Sequence, residues 1–182
     1  MARSIDNIKA ELELGGARPS LFEVSILPAV VGDALTMIPK LTFLCRAASL
    51  PQSVQGVVEI PYQGRKIKIA GNRTFPEWSI TVMNDEDFRI RNAFETWHKG
   101  INLHRENVRG LGATSAPASY KGRAEVNQLS KEGALIRSYF FEGVWPSEVA
   151  AIPLDWGTVD AIEEFTITLQ YDIWDIGTVT PR

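Results

Sequence analysis

Cysteine and histidine are scarce in this sequence: one cysteine and two histidines occur among 182 residues. A single cysteine cannot form an internal disulfide, so the fold must be held by packing or by assembly with other chains. Cys45 stands in an apolar stretch, which favours a buried structural thiol over a reactive one. His98 and His104 are poorly spaced for one helical face, so the pattern favours exposed polar side chains over an active site.

Signatures of catalysis, cofactor binding and nucleic-acid binding are missing as well. Gly110-Leu-Gly112 lacks the lysine and the preceding strand of a phosphate-binding loop, and no paired-cysteine metal motif occurs. Asp155-Trp-Gly157 has the composition of a turn. The net charge of -3 lacks the basic excess that phosphate contacts need. We therefore expect no catalytic, cofactor-binding or metal site, and no cofactor.

Long apolar runs are also absent. No stretch has the length that a membrane span requires, and the first residues lack the continuous apolar core of a secretion signal. These absences predict a soluble protein that is made in the cytoplasm and is not inserted into a membrane.

The residues that are present predict one β-rich domain over residues 1–182. Hydrophobic side chains make up 45% of the chain and charged ones 23%, which suits a single domain with a sizeable core. Short β-like runs alternate with Gly, Pro and Asn punctuation. Residues 1–16 are predicted to form a polar arm, and residues 28–40 and 102–118 are predicted to form loops.

A first β-hairpin is predicted over residues 54–69, with a turn around Gly64. Glycine supplies the positive φ angle that a tight turn demands. The second arm alternates charged and apolar side chains, which places charge on one face and apolar surface on the other. The charged positions are Lys66 and Lys68, and the apolar positions are Ile67 and Ile69.

A second hairpin is predicted over residues 120–142, with its turn at residues 131–133. One face of its first arm is polar, with Arg123, Glu125 and Asn127 in alternate positions. Further strands are predicted at residues 21–26, 41–45, 79–83 and 164–173.

One segment switches to helical period. Its apolar positions, at spacings of four, three and four, are Ile90, Phe94, Trp97 and Ile101. Asn84 is expected to cap the start of this helix, the acidic residues 85–87 suit the positive end of its dipole, and Gly100 suits its exit. This is the only helix that the pattern predicts convincingly.

Several short stretches occur in an order that is informative. They include Cys-Arg-Ala-Ala-Ser-Leu-Pro at 45–51, Gly-Val-Trp-Pro at 143–146 and Leu-Asp-Trp at 154–156, together with residues 16–24, 60–78 and 81–86. In this order they resemble the tail tube proteins of contractile phages such as T4. The resemblance covers about residues 16–175.

The resemblance implies a mainly β, sandwich-like or barrel-like subunit with one flanking α-helix. Such subunits assemble as six-membered rings, in which hairpins from neighbours join into a continuous inner β-barrel and leave no free sheet edges. The residues expected in these assembly hairpins are Ile60, Lys66, Ile67, Lys68, Ile69, Arg123, Glu125 and Asn127.

The resemblance also implies partners and a location in the virion tail. Stacked rings would form a conduit for DNA delivery, surrounded by the tail sheath protein and ended by baseplate and tail terminator proteins. The tape measure protein and DNA would pass through the lumen.

Other interpretations remain open at this point. The same architecture serves in tailocins and secretion-system injection devices, and the genes beside this one would separate those from a complete phage. A monomeric β-sandwich binding module would instead give a stable monomer at any concentration. An enzyme would need a concave site near His98 and His104 with convergent acids.

The arm and the first predicted loop are expected to stack one ring on the next. The loop has an apolar group that a free subunit would expose, and its stacking residues are Val30, Val31, Leu35 and Met37. Replacing Val31 and Leu35 by Ser, or deleting residues 1–12, should leave single rings folded but shorten or abolish tubes in negative-stain electron microscopy. Tubes of normal length from both variants would show that neither segment stacks rings.

Overall fold

The computed structural model describes residues 5–12, 15–28, 38–110 and 116–177. The helices are α1 (Ile5–Glu11), α2 (Ile38–Leu44) and α3 (Arg89–Ile101), and a 3-10 turn covers Pro117–Ser119. The strands are β1 (Phe22–Leu27), β2 (Cys45–Ala48), β3 (Val54–Tyr62), β4 (Arg65–Thr74), β5 (Trp78–Met83), β6 (Gly122–Leu129), β7 (Leu135–Val149), β8 (Glu164–Gln170) and β9 (Ile173–Ile176). The fold is mainly β with one long helix, which confirms the predicted class.

Seven of the strands form one antiparallel sheet in the order β1-β6-β7-β8-β5-β2, and β9 pairs with β7 beside this path. Strict alternation along the strands separates a core face from an outer face. In β8, for example, Phe165, Ile167 and Leu169 are buried while the residues between them are partly exposed. Helix α3 packs against β7 and buries Ile90, Phe94 and Trp97, the face that the period predicted.

The longest strand, β7, changes partners at Gly143. Before the glycine, β7 pairs with β9, and after it β7 pairs with β8. Gly143 has a backbone φ of 71°, an angle that residues with a Cβ rarely adopt. The carboxylate of Asp172, at the β8–β9 junction, lies against Gly143 and is held by Lys121 Nζ at 2.6 Å. The bend therefore separates the part of β7 that pairs with β9 from the part that pairs with β8.

Aromatic rings fill the centre of the core beside this bend. Phe141 is fully buried and stacks on Trp78 with ring centroids 4.4 Å apart. Tyr171 meets Phe141 edge-on at 5.0 Å. Burying one large apolar side chain contributes roughly 1.5–3 kcal/mol, so this group stabilises the bend of β7 by packing.

The predicted strand at residues 41–45 is wrong. Residues 38–44 are helical, and only Cys45 of that stretch enters a strand. Pro39 lies in the first turn of α2, where backbone amides have no acceptor within the helix, so the missing N–H of proline costs no hydrogen bond. A short apolar run such as this one is compatible with either a strand or a helix. The helix overlaps the end of the predicted 28–40 loop, and the predicted arm contains the short helix α1.

The boundaries predicted for α3 and for the last strand also need correction. Helix α3 begins at Arg89, directly after Phe88, which has a left-handed φ of 50°. The Asn84 side-chain amide donates a hydrogen bond to the Glu163 carboxylate at 2.8 Å and does not cap the helix. Gly100 lies inside the helix. The last strand is interrupted, because β8 ends at Gln170 and β9 begins at Ile173 and continues the pairing along the earlier half of β7.

The acidic residues before α3 have a partner that the sequence did not predict. Lys40 of α2 forms ion pairs with Asp85, at 2.7 Å, and with Asp87. This pairing lowers the pKa of the Asp87 carboxyl. The acidic turn therefore holds α2 against the segment that leads into α3, in addition to lying near the positive end of the helix.

Cys45 should be unreactive in the folded protein. Burial raises the pKa of its thiol to about 12, so only about one thiol in ten thousand is ionised at pH 8. A colorimetric disulfide reagent at pH 8 should find no reactive thiol in the native state and one in guanidinium chloride. Complete reaction of the native protein within minutes would contradict this burial.

Candidate assembly surface

Strands β3 and β4 form a separate two-stranded sheet. Tyr62 pairs with Arg65 beside the turn, and the turn residues Gln63 and Gly64 have φ angles of 44° and 79°. Positive φ at both positions is what a type I′ two-residue turn requires. No strand among the described residues pairs with the outer edges of this hairpin, so both edges present free backbone donors and acceptors.

The two faces of the β3–β4 hairpin differ in chemistry. Its apolar face carries Val58, Ile60, Tyr62, Ile67 and Ile69, with Arg65 opposite Tyr62 at the end next to the turn. On this face Ile67 is 55% exposed and Ile69 is 50% exposed, although apolar strand faces normally pack on a core. The opposite face carries Lys66 and Lys68, and Lys66 pairs with the Glu59 carboxylate at 2.7 Å. The alternation predicted for β4 is confirmed.

The base of this hairpin is fastened to the body of the subunit. The Gln52 carbonyl, just before β3, accepts hydrogen bonds from the Tyr171 hydroxyl and the Trp174 indole, both at 3.3 Å. Phe75, just after β4, packs near Tyr171 with ring centroids 6.1 Å apart. The core therefore sets where the hairpin leaves the subunit, while its two faces stay exposed.

The predicted second hairpin corresponds to β6 and β7. Arg123 is exposed, and Glu125 and Asn127 are half-buried on the outer face, whereas Ala124 and Val126 between them are buried. Asn127 accepts a hydrogen bond from Ser138 on β7. Arg123 and Glu142 are cross-strand partners. The structure thus places the predicted polar residues on one face but does not join them to the β3–β4 hairpin in one sheet.

An apolar surface that the sequence interpretation missed lies on the loop between β7 and β8, residues 150–163, here called the Trp156 loop. Its exposed apolar residues are Leu154, Trp156, Val159 and Ile162. The expected turn is present, since the Asp155 carboxylate accepts a hydrogen bond from the Gly157 amide at 2.9 Å. A signal existed in the sequence: this stretch is apolar yet follows neither helical nor strand period.

Other predicted positions lie apart from these surfaces. Residues Val30, Val31, Leu35 and Met37 lie outside the described residues. His98 and His104 have ring centroids 6.4 Å apart, and the described part of the chain has no group of three or more His, Cys, Asp or Glu side chains placed to hold a metal. Within the same residues, no helix is long and apolar enough to cross a membrane.

The sequence matches known proteins along most of its length. A family model described as phage tail tube protein matches residues 17–177. The tail tube protein gp19 of Enterobacteria phage T4 is 32% identical over 173 residues, which is 94% of this chain and 99% of that protein. The tail tube protein of Serratia phage KSP90 is 25% identical over 128 residues, 70% of each chain.

Solved structures share the fold at lower identity. A chain of the sheath/tube terminator of an extracellular contractile injection system, PVC, superposes with a TM-score of 0.64 at 14% identity, over 90% of this chain and 97% of that one. A chain of the anti-feeding prophage cap gives a TM-score of 0.62 at 18% identity, over 90% and 92%. On the sequence matches, the chain belongs to the phage tail tube protein family and is a structural subunit of the inner tube of a contractile tail, not an enzyme.

Proposed function

We propose that this chain, as one tail-tube domain, assembles into six-membered rings that stack into a hollow conduit for DNA delivery. The observation that carries the proposal is the β3–β4 hairpin, whose two edges and apolar face have no partner among the described residues of the subunit. An isolated hairpin is marginally stable in water, and pairing with a neighbour's strands satisfies its edges. A closed ring leaves no free edge and therefore limits growth in that direction.

The assembly residues fit this arrangement by their position. Ile60, Ile67 and Ile69 would become buried against the body of the same or the next subunit when the ring closes. Lys66 and Lys68, together with Arg123, Glu125 and Asn127 of the second hairpin, would face the lumen. The arm at residues 1–16 and the 28–40 and 102–118 segments would be available for contacts outside the inner barrel.

The ring also needs partners to become a tail. A tube of this kind would lie within the tail sheath protein, start on the baseplate and end at a tail terminator protein. The tape measure protein and later the DNA would pass through its lumen. A polar lumen suits this role, because mixed charges next to one another hold a passing polyanion weakly.

Mutation of the apolar hairpin face tests ring formation. Ile69→Asp should leave the subunit folded, because the side chain is half exposed in one copy, but should abolish rings and tubes by placing a charge in an apolar contact. The matched control is Ala70→Asp, which adds the same charge one residue away on the other face. Circular dichroism checks folding, and negative-stain electron microscopy checks assembly.

Two results would contradict this proposal. A wild-type protein that stays monomeric across a wide concentration series would overturn it and favour a monomeric binding module. Normal tubes from Ile69→Asp would instead show that rings close without the apolar hairpin face.

The lumen should bind DNA weakly at about 0.15 M salt, because its cations lie beside acids such as Glu59. Glu59→Gln in assembled tubes should strengthen binding of short duplex DNA and steepen the plot of log K against log salt by about 0.9 for each added phosphate contact. Glu86→Gln, before α3, removes the same charge elsewhere and should have little effect. Tight DNA binding by wild-type tubes at this salt concentration would contradict the prediction.

A further inference from the structure

The Trp156 loop is the most exposed apolar feature of the described residues. Trp156 is 101% exposed, Val159 86% and Leu154 82%. The turn that presents Trp156 is built, since Asp155 accepts hydrogen bonds from the Gly157 amide at 2.9 Å and the Thr158 hydroxyl at 3.3 Å. Soluble monomers rarely expose such a cluster, and a fully exposed tryptophan is typical of a contact made with another molecule.

The Trp156 loop itself is acidic. Residues 150–163 contain three carboxylates, Asp155, Asp160 and Glu163, and no lysine or arginine. Arg46 lines the cleft beside the loop, where it pairs with Glu164. Asp155 and Asp160 lie within the exposed part of the loop itself. The surface that meets this loop must therefore combine an apolar floor with positive charge.

The same chain has such a surface beyond the other end of β7, here called the basic groove. It is an open groove of about 360 Å³ with apolar walls from Ala17, Leu129 and Ile136 and with Arg18, Lys131 and Glu132 at its sides. Lys131 Nζ donates to the Gly15 carbonyl at 3.3 Å, which fixes the cation at the rim. The groove has a net positive charge, opposite to that of the Trp156 loop.

The loop and the groove cannot meet within one subunit. Strand β7 runs from Leu135, beside the groove, to Val149, which leads into the Trp156 loop. Its 15 residues span roughly 45–50 Å, less the bend at Gly143. Two complementary patches at opposite ends of one strand fit a head-to-tail contact between copies, and such contacts repeat along a line.

We propose that the Trp156 loop of one subunit docks into the basic groove of a second copy in the adjacent ring. This inference rests on the proposed stacking of rings and names the residues that make the contact. The loop and the groove lie at opposite ends of β7, so a contact between them joins copies along the direction of that strand. Trp156 fills the apolar floor, and Asp155 and Asp160 lie near Arg18 and Lys131.

Truncation of the tryptophan is the first test. Trp156→Ser should raise the protein concentration needed for tube growth by at least about tenfold while single rings still form. The matched control is Phe43→Ser, which removes an aromatic ring that is 81% exposed on α2, outside both surfaces. Sedimentation and electron microscopy measure tube growth. Normal tube growth by Trp156→Ser would overturn the proposal and assign the loop to a different tail protein.

Charge reversal is the second test, and it checks the pairing of the two surfaces. Asp160→Lys and Lys131→Asp should each weaken stacking, because each places like charges opposite one another. An equimolar mixture of the two variants should restore tubes, since alternating subunits then meet opposite charges at both ends. A mixture that stays as single rings would overturn the pairing. If wild-type protein forms rings that never stack, the proposed function fails first, and the two failures are therefore distinguishable.

Discussion

Unpaired backbone along the β3–β4 hairpin is the constraint on which the assembly depends. Buried amide and carbonyl groups need hydrogen-bond partners, and exposed strand edges attract other strands. The inner strands of the seven-stranded sheet satisfy these groups by pairing on both sides, and the core residues of the subunit lie on this sheet. The hairpin has no such core beneath it. In the proposed ring, strands of neighbouring subunits would pair with its edges and cover its apolar face.

The bend at Gly143 connects that body to the hairpin. Beside this bend the strand pairing is interrupted at Tyr171 and Asp172, and the chain then continues in the direction of β8 along the earlier half of β7 as β9. This segment places Tyr171 and Trp174 beside Gln52, at the base of the hairpin. One glycine with a positive φ thus fixes where the assembly surface leaves the core.

The sequence predicted elements that obey one clear period and missed those that depend on tertiary contacts. The alternation of β4, the buried face of α3 and the core side of β8 could all be read from local spacing. Helix α2 could not, because seven residues are too few to show a helical period and Pro39 fits either a helix start or a loop. The interruption between β8 and β9 could not be predicted either, because Ile173 continues the alternation and the break depends on the contact of Asp172 with the bend of β7 at Gly143.

The assembly surface, too, could be predicted only as far as local sequence pattern determines it. Local pattern gave the two faces of the hairpin, yet its lack of a partner is a property of the whole topology. The Trp156 loop has no period, so its exposure became visible only when the fold placed it beyond the end of β7.

The two proposed kinds of contact, strand pairing between neighbours in a ring and loop docking between rings, differ in their physical character. Strand pairing uses directional hydrogen bonds, which would fix the register and angle between neighbouring subunits of the proposed ring. An apolar loop in an apolar groove is less directional, and opposite charges guide which end meets which. Each such contact is modest, but a ring presents all its copies at once, and simultaneous engagement makes weak single contacts strong together. In the proposed tube, rigid pairing within a ring and adaptable docking between rings would keep the lumen constant while the loops absorb small shifts between rings.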